Sequence, residues 1–294
     1  MNIIPFQKLA CPLDGAHLQH VGATWRCAAG HSFDIASQGY ANLLPVQNKR
    51  SLDPGDSKEM VAARRRFLNA GHYELIAAAT CHAALLDLAS STTASCLDAG
   101  CGEGYYLRQL GAASGKLKAL AVLGLDISKW AVLSAAKQGK TQDTAQDKNN
   151  EQANWVVGSN AKLPVLPGTL DRVLCMFGFP VYSEFARVLK ADGQLVQVDA
   201  GTDHLRELRE IIYPVLKPER TNATAAPDGF CCLATETVRY TLELDGNEQI
   251  ADLLAMTPHL YRASADGRAR AAALTSLSLT VDVRLQRFGK TTRT

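Results

Sequence analysis

The 294-residue chain contains no apolar run long enough to span a bilayer, so no membrane partner is expected. Residues 1–10 lack the charged start and long apolar stretch of a signal peptide. An excess of one charge is missing too: 31 Lys and Arg stand against 29 Asp and Glu, a net +2. A chain so near neutrality offers nucleic acid no global field, so any such binding must come from local patches. The eight cysteines are scattered, and only Cys231 and Cys232 are adjacent. Without an export signal they read as thiols or metal ligands, not as a disulfide framework. These absences point to a cytoplasmic setting. Apolar residues at 47% and charged residues at 20% suit a globular chain with a real core, sized for one large domain plus a small one, or for two domains.

One stretch organises the rest: Cys96-Leu97-Asp98-Ala99-Gly100-Cys101-Gly102-Glu103-Gly104-Tyr105. Apolar residues lead into an acid, and glycines then follow at alternate positions, the pattern of a strand turning sharply into a helix. Glycine lets a ligand approach the backbone. The helix start beyond it offers unpaired N–H groups and a partial positive charge. The dinucleotide fingerprint G-x-G-x-x-G is excluded, because Tyr105 stands where its third glycine would be. The D-x-G-x-G-x-G spacing of Asp98, Gly100, Gly102 and Gly104 instead resembles motif I of the S-adenosylmethionine-dependent methyltransferases. A strand predicted over residues 119–127 carries Asp126 near its C-terminal end, where a carboxylate accepts both hydrogen bonds of a ribose diol. Further on, Asn160 reads either as a partner for the adenine edge or as an ordinary turn residue.

The first forty residues differ from the rest. Cys11-Pro12-Leu13-Asp14 and Cys27-Ala28-Ala29-Gly30-His31 have the frame of a zinc ribbon, with Asp14 in the second cysteine position. Zinc accepts a carboxylate in a tetrahedral site, so Cys11, Asp14, Cys27 and His31 are candidate Zn2+ ligands. The alternative is a metal-free turn held by the packing of Leu13, Leu18, Trp25 and Phe33. A Pro- and Gly-containing connection follows, and Asp56 with Glu59 resembles a capping box opening a helix. Arg64-Arg65-Arg66 on that helix is a solvated face by itself and an RNA-facing patch only together with Lys49 and Arg50. Leu75, Ala79, Ala83 and Leu86 recur at helical spacing and predict a second helix.

At this point a family resemblance becomes specific. The ribbon frame, Gly39-Tyr40-Ala41-Asn42-Leu43-Leu44-Pro45-Val46-Gln47, Asp53-Pro54-Gly55-Asp56-Ser57, Ala70-Gly71-His72-Tyr73 and Cys101-Gly102-Glu103-Gly104-Tyr105-Tyr106 occur in one order. With Asp203-His204-Leu205 and Met256-Thr257-Pro258, this order resembles the large-subunit (23S) ribosomal RNA (guanine-N1)-methyltransferases. The resemblance implies S-adenosylmethionine as methyl donor, large-subunit ribosomal RNA as partner and a homodimer. It also implies that Tyr73, Gly102, Glu103 and His204 lie on the cofactor. Phe177-Gly178-Phe179-Pro180 departs from the family, whose members mostly carry a tyrosine-containing string there. Either Phe is a candidate to stack on a flipped-out guanine, with one of the two expected in the core.

Strands alternating with helices, at residues 155–158, 170–177 and 194–199 among others, argue for a parallel sheet covered on both faces. The expected fold is α/β, a class I S-adenosylmethionine-dependent methyltransferase (Rossmann-like) with a small N-terminal zinc-ribbon-like module. The expected division is residues 1–45 for the ribbon module and 46–294 for the methyltransferase domain. Residues 139–153 read as a polar loop. Residues 256–262 should return to the ligand crevice, and Arg284, Arg287, Lys290 and Arg293 form a basic tail. The guanine N1 proton needs an acceptor, and no catalytic residue is nominated. Asp199 and His204 follow a strand near the crevice and are candidates, although the resemblance assigns His204 to the cofactor. The alternatives are a small-molecule methyltransferase and a non-catalytic RNA-binding protein that holds S-adenosylmethionine.

Overall fold

The computed structural model describes residues 3–48, 51–90, 93–115, 117–141, 153–215 and 226–291. The chain opens with β1 (Ile3–Pro5), then forms a three-stranded antiparallel ribbon from β2 (Gln19–Val21), β3 (Thr24–Arg26) and β4 (Ser32–Asp34). Strand β5 (Tyr40–Asn42) returns to the main body, followed by helices α1 (Lys58–Asn69) and α2 (Glu74–Leu85). The alternating part then runs β6 (Thr93–Ala99), α3 (Tyr105–Ala113), β7 (Ala119–Asp126), α4 (Lys129–Thr141), β8 (Asn154–Val157), β9 (Leu170–Met176), α5 (Tyr182–Val188) and β10 (Leu189–Ala200). The last third contributes α6 (Arg206–Ile212), β11 (Phe230–Asp245), α7 (Asn247–Ala255), α8 (His259–Arg262), α9 (Ala265–Ala272) and β12 (Ser276–Lys290).

Among the described residues, nine strands make one sheet in the order β11-β12-β10-β9-β6-β7-β8-β5, with β1 beside the first half of β7. The strands from β10 to β5 pair in parallel, and β12 runs antiparallel to both β10 and β11. Chain order reverses between β6 and β9. In open α/β sheets a ligand binds outside the strand carboxyl ends at such a reversal. Strand β6 is buried on both faces from Ala94 to Ala99, as expected where helices cover both sides of a parallel sheet.

The ribbon is not an isolated bead. Leu9, Leu18 and Trp25 share one apolar cluster with Leu163, Val165 and Phe185 of the main body. Ala10 N–H donates to Pro164 O at 2.9 Å, and Lys162 Nζ donates to Pro12 O at 2.9 Å. So small a module needs either a metal or a neighbour for its core, and the neighbour is present. Leu13, expected in that core, is exposed instead, because it sits at the tip of the first turn.

Several local expectations shift. The α1 cap is Ser57, not Asp56: its side chain accepts from Met60 N–H at 3.3 Å and donates to Glu59 Oε2 at 2.8 Å. Asp56 instead pairs with Arg64. Arg66 is bound by Asp252, and Lys49 and Arg50 lie outside the described residues, so most of the Arg64–66 run is held within the protein. Helix α2 buries Ile76, Ala77, Thr80, Cys81, Ala83 and Ala84, leaving Leu75 and Leu86 exposed; its apolar stripe is one residue off the expected one. Most of the polar segment 139–153, and Arg293, fall outside the described residues, while Arg287 pairs with Asp87 and Lys290 Nζ donates to Leu189 O at 2.9 Å.

Candidate functional site

The turn after β6 is built from the backbone. Gly100 N–H and Cys101 N–H both donate to Leu125 O, at 2.8 and 2.9 Å, which ties the turn to β7. Gly104 is the N-cap of α3 at φ +85°, and no side chain caps that helix. Its N-terminal N–H groups are thus left for a ligand. A Cβ at Gly104 would lie 2.6 Å from Cη2 of buried Trp155, so the turn has no room for another residue there. Asp126 closes the far side. Its Oδ2 accepts from Gly102 N–H at 2.9 Å and its Oδ1 from Ser128 N–H at 2.8 Å, aiming the carboxylate along the cleft rim.

Above the strand ends lies a cleft of about 1510 Å³. It is bordered by residues 100–103, Asp126, residues 158–162, residues 176–179, Asp199, His204 and residues 256–259, with Pro12 of the ribbon at one edge. The segment 256–262 therefore returns to the crevice as its sequence position predicts, held by Arg64 Nη2 donating to Met256 O at 2.9 Å.

Each sequence-predicted residue has a distinct place. Tyr73, Gly100, Gly102, Glu103, Asp126, Asn160 and His204 line the one cleft, whereas Asp98 and Gly104 lie just behind its wall. Glu103 is buried, with Oε2 paired to Arg108 at 2.8 Å and Oε1 without a partner among the described residues. Asn160 spends its Nδ2 on Ala99 O and Phe179 O, both at 3.4 Å, and its buried Oδ1 is unpartnered among the described residues. An unmet acceptor at that point fits an exocyclic amine such as that of adenine.

Asp98 is fully buried, and neither carboxyl oxygen has a partner among the described residues. Burial, reinforced by the charge of Asp126, pushes its pKa up to about 8. The unfolded chain ionises this group near 3.8, so folding stability should fall as pH rises from about 4, the fall ending near 8. The limiting slope is about 1.4 kcal/mol per pH unit. Asp98→Asn cannot ionise and should flatten that part of the curve in urea denaturation. Parallel curves for the two proteins would refute this origin.

The cleft floor is aromatic. His204 stacks on Phe177 with ring centroids 5.7 Å apart, and its Nε2 lies 3.4 Å from Tyr73 Oη. Asp282 N–H donates to His204 Nδ1 at 3.3 Å, which leaves the neutral ring's proton on Nε2. Burial lowers the His204 pKa to about 4, so the ring is uncharged at neutral pH. Phe177 sits at φ +52°, a left-handed conformation rare for a large side chain, and its N–H is held by Val198 O at 2.8 Å. Phe179 is 88% exposed and Phe177 is 37% exposed, so neither is the core residue that one of them was expected to be. Sequence periodicity carries no sign of a single positive φ.

A second cluster lies in the ribbon. Cys11, Asp14, Cys27 and His31 bring one ligand atom each to within 4.8 Å of one another. Individual separations are 3.1 Å (His31 Nδ1 to Asp14 Oδ2), 3.4 Å (Cys27 Sγ to His31 Nδ1) and 3.5 Å (Cys11 Sγ to His31 Nδ1). A tetrahedral zinc with bonds of roughly 2.0–2.3 Å has ligand–ligand edges of about 3.3–3.8 Å. The donor set and its spacing fit that ion.

Comparison with known proteins adds an independent observation. A family profile described as "RlmA, N-terminal" matches residues 9–52, and one described as "Methyltransferase domain" matches residues 96–193. The chain is 32% identical over 293 residues to YxjB of Bacillus subtilis (strain 168), covering 95% of this chain and 96% of the relative, which is provisionally named a 23S rRNA (guanine-N(1)-)-methyltransferase. A Micromonospora griseorubida protein with the same provisional name is 32% identical over 301 residues, covering 95% and 96%. The 23S rRNA (guanine(748)-N(1))-methyltransferase of Streptomyces fradiae is 30% identical over 273 residues, covering 92% and 90%.

Proposed function

The chain belongs to the 23S rRNA (guanine-N1)-methyltransferase family, and on that premise we propose that it methylates N1 of a guanine in a hairpin of large-subunit ribosomal RNA. The observation that carries the reading is the single cleft joining the glycine turn and Asp126 to the aromatic floor. S-adenosylmethionine supplies an electrophilic methyl group on its sulfonium. The protein's part is to hold donor and base in line and to exclude water. Asp126 takes the ribose diol, Asn160 the adenine edge, and Glu103, Tyr73 and His204 flank the methionine end of the donor. The chemistry of the unmet acceptors on Glu103 and Asn160 fits this ligand.

In the same reading, residues 1–45 act as an RNA-recognition module and residues 46–294 as the methyltransferase domain. Family resemblance supports a homodimer, and a ribosomal RNA substrate supports a cytoplasmic setting. Cys11, Asp14, Cys27 and His31 hold zinc, whose role is to fix the ribbon's two knuckles. Purified protein should contain one zinc ion per chain by elemental analysis. Chelation should speed amide exchange across residues 9–34 while leaving donor affinity within about twofold. A metal-free preparation with the same exchange rates would refute the site.

The functional test is transfer of labelled methyl from S-adenosylmethionine to large-subunit RNA from a strain lacking the gene, with the modified base identified by mass spectrometry. One 1-methylguanine in one hairpin is the expected product. Donor binding without label in free or assembled RNA would overturn the reading.

A further inference from the structure

The proposed reaction requires that the guanine N1 proton leave as the methyl arrives, and most titratable groups around the cleft are already engaged. Asp56 is paired with Arg64 and Glu103 with Arg108. Asp126 holds two backbone N–H groups. The His204 Nδ1 lone pair is taken by Asp282 N–H, and His259, hydrogen-bonded through Nδ1 to the Tyr213 hydroxyl at 2.8 Å, is a weak base because burial lowers its pKa to about 4. Among the described residues, the acid left on the cleft wall is Asp199.

Asp199 is the next-to-last residue of β10, beside the segment that carries Phe177. Its carboxylate is aimed by a directed chain. Tyr182 Oη donates to Gln197 Oε1 at 3.1 Å, and Gln197 Nε2 donates to Asp199 Oδ2 at 2.7 Å. Both side chains of that chain rest on the same face of β10 as Asp199, one from α5 and one two residues earlier on the strand. In the paired register, Arg284 of β12 stands directly opposite Asp199. Its Nε is buried without a partner among the described residues, and its charge acts on Tyr182, the outer member of that chain. A carboxylate on the cleft wall with one oxygen pinned is a positioned acceptor.

We propose that Asp199 is the catalytic residue that binds the guanine edge and removes its N1 proton, an inference that rests on the function proposed above. The Watson–Crick edge of guanine presents N1–H and an N2 amine side by side, both donors, which a carboxylate matches. Adenine presents a bare N1 acceptor there, so the same carboxylate repels it. In the step, the N1–H bond breaks with its proton passing to Asp199 and its electron pair staying on N1. That pair forms the new N1–C bond, and the pair of the breaking S–C bond remains on sulfur, neutralising the sulfonium. The proton on Asp199 then leaves through the open cleft to water.

The test is single-turnover methylation of the RNA by wild type, Asp199→Asn and Asp199→Glu, with donor and RNA affinities measured in parallel. Asp199→Asn should slow transfer by about 10²–10⁴-fold with both affinities within about threefold. Asp199→Glu should recover part of the rate. Raising pH should narrow the gap, because water-borne base then removes N1–H without help from the protein. The charged and titratable groups facing Asp199 are Arg284 on β12, Tyr182 on α5 and Cys175 on β9, the last two with pKa values raised by burial. None of these gains a new charge in the variant, so the narrowing reports on the base. An Asp199→Asn rate within about threefold of wild type, or a loss that pH does not change, overturns the inference alone. Absence of wild-type transfer overturns the function on which it rests.

Discussion

Asp126→Ala is expected to weaken S-adenosylmethionine binding by two to three orders of magnitude. A ribose diol donating two hydrogen bonds to a carboxylate gains about 1.5–3 kcal/mol from each. Because Asp126 already accepts two backbone N–H groups, each bond is taken at the low end, about 1.5–2 kcal/mol, so losing both amounts to about 3–4 kcal/mol, which corresponds to that range in Kd. A second effect runs in the same direction. Without the carboxylate, Gly102 N–H and Ser128 N–H lose their acceptor, and the turn keeps only the Gly100 and Cys101 bonds to Leu125 O as its tie to β7. Asp126→Asn separates the two contributions, because an amide keeps one acceptor oxygen and loses the charge. It should fall between wild type and alanine. Equilibrium titration with labelled donor is the measurement, and an alanine variant within threefold of wild type would remove Asp126 from the ribose.

The parts of this protein that were legible in its sequence are those whose chemistry is contiguous or fixed by spacing. The acid, alternate glycines and following helix all fall within ten residues, so Asp98 to Gly104 could be read directly. The cluster of Cys11, Asp14, Cys27 and His31 was legible for the same reason, each knuckle being a short local turn. What stayed hidden depends on distant partners. Strands β1 and β5 have three residues each, too few to show a period, and exist because β7 and β8 offer them open edges. Ser57 and Asp56 are both good cap residues, and the choice between them follows from Arg64 claiming Asp56. Helix α2 is so rich in alanine that two adjacent stripes look alike, and only packing against the sheet selects one. Asp199 could be named as a candidate from its place after a strand, but what aims it was invisible, because Gln197 and Tyr182 reach it from a strand and a helix that only the fold brings together.

Gly104→Ala should damage the fold more than the same change at Gly100, although both glycines belong to one motif. At Gly104 the backbone is left-handed at φ +85°, which costs an L-residue about 1–2 kcal/mol. The added Cβ would also meet Trp155 Cη2 at 2.6 Å and Ala135 Cβ at 3.1 Å. Overpacking of that kind costs about 1–3 kcal/mol, for a total of about 2–5 kcal/mol against a typical domain stability of about 5–15 kcal/mol. At Gly100 the φ is +100°, yet nothing lies within 4 Å of an added Cβ, which would project into unfilled space at the cleft wall. Gly100→Ala should therefore lose donor affinity with a smaller loss of stability, and Gly104→Ala should lose both. Chemical denaturation and donor titration on the two variants measure the split. Combining Gly104→Ala with Trp155→Leu tests the steric share. If the clash is with the indole, the double variant should recover part of the Gly104→Ala loss relative to Trp155→Leu alone. Strict additivity would mean that backbone strain at the helix start carries the whole cost.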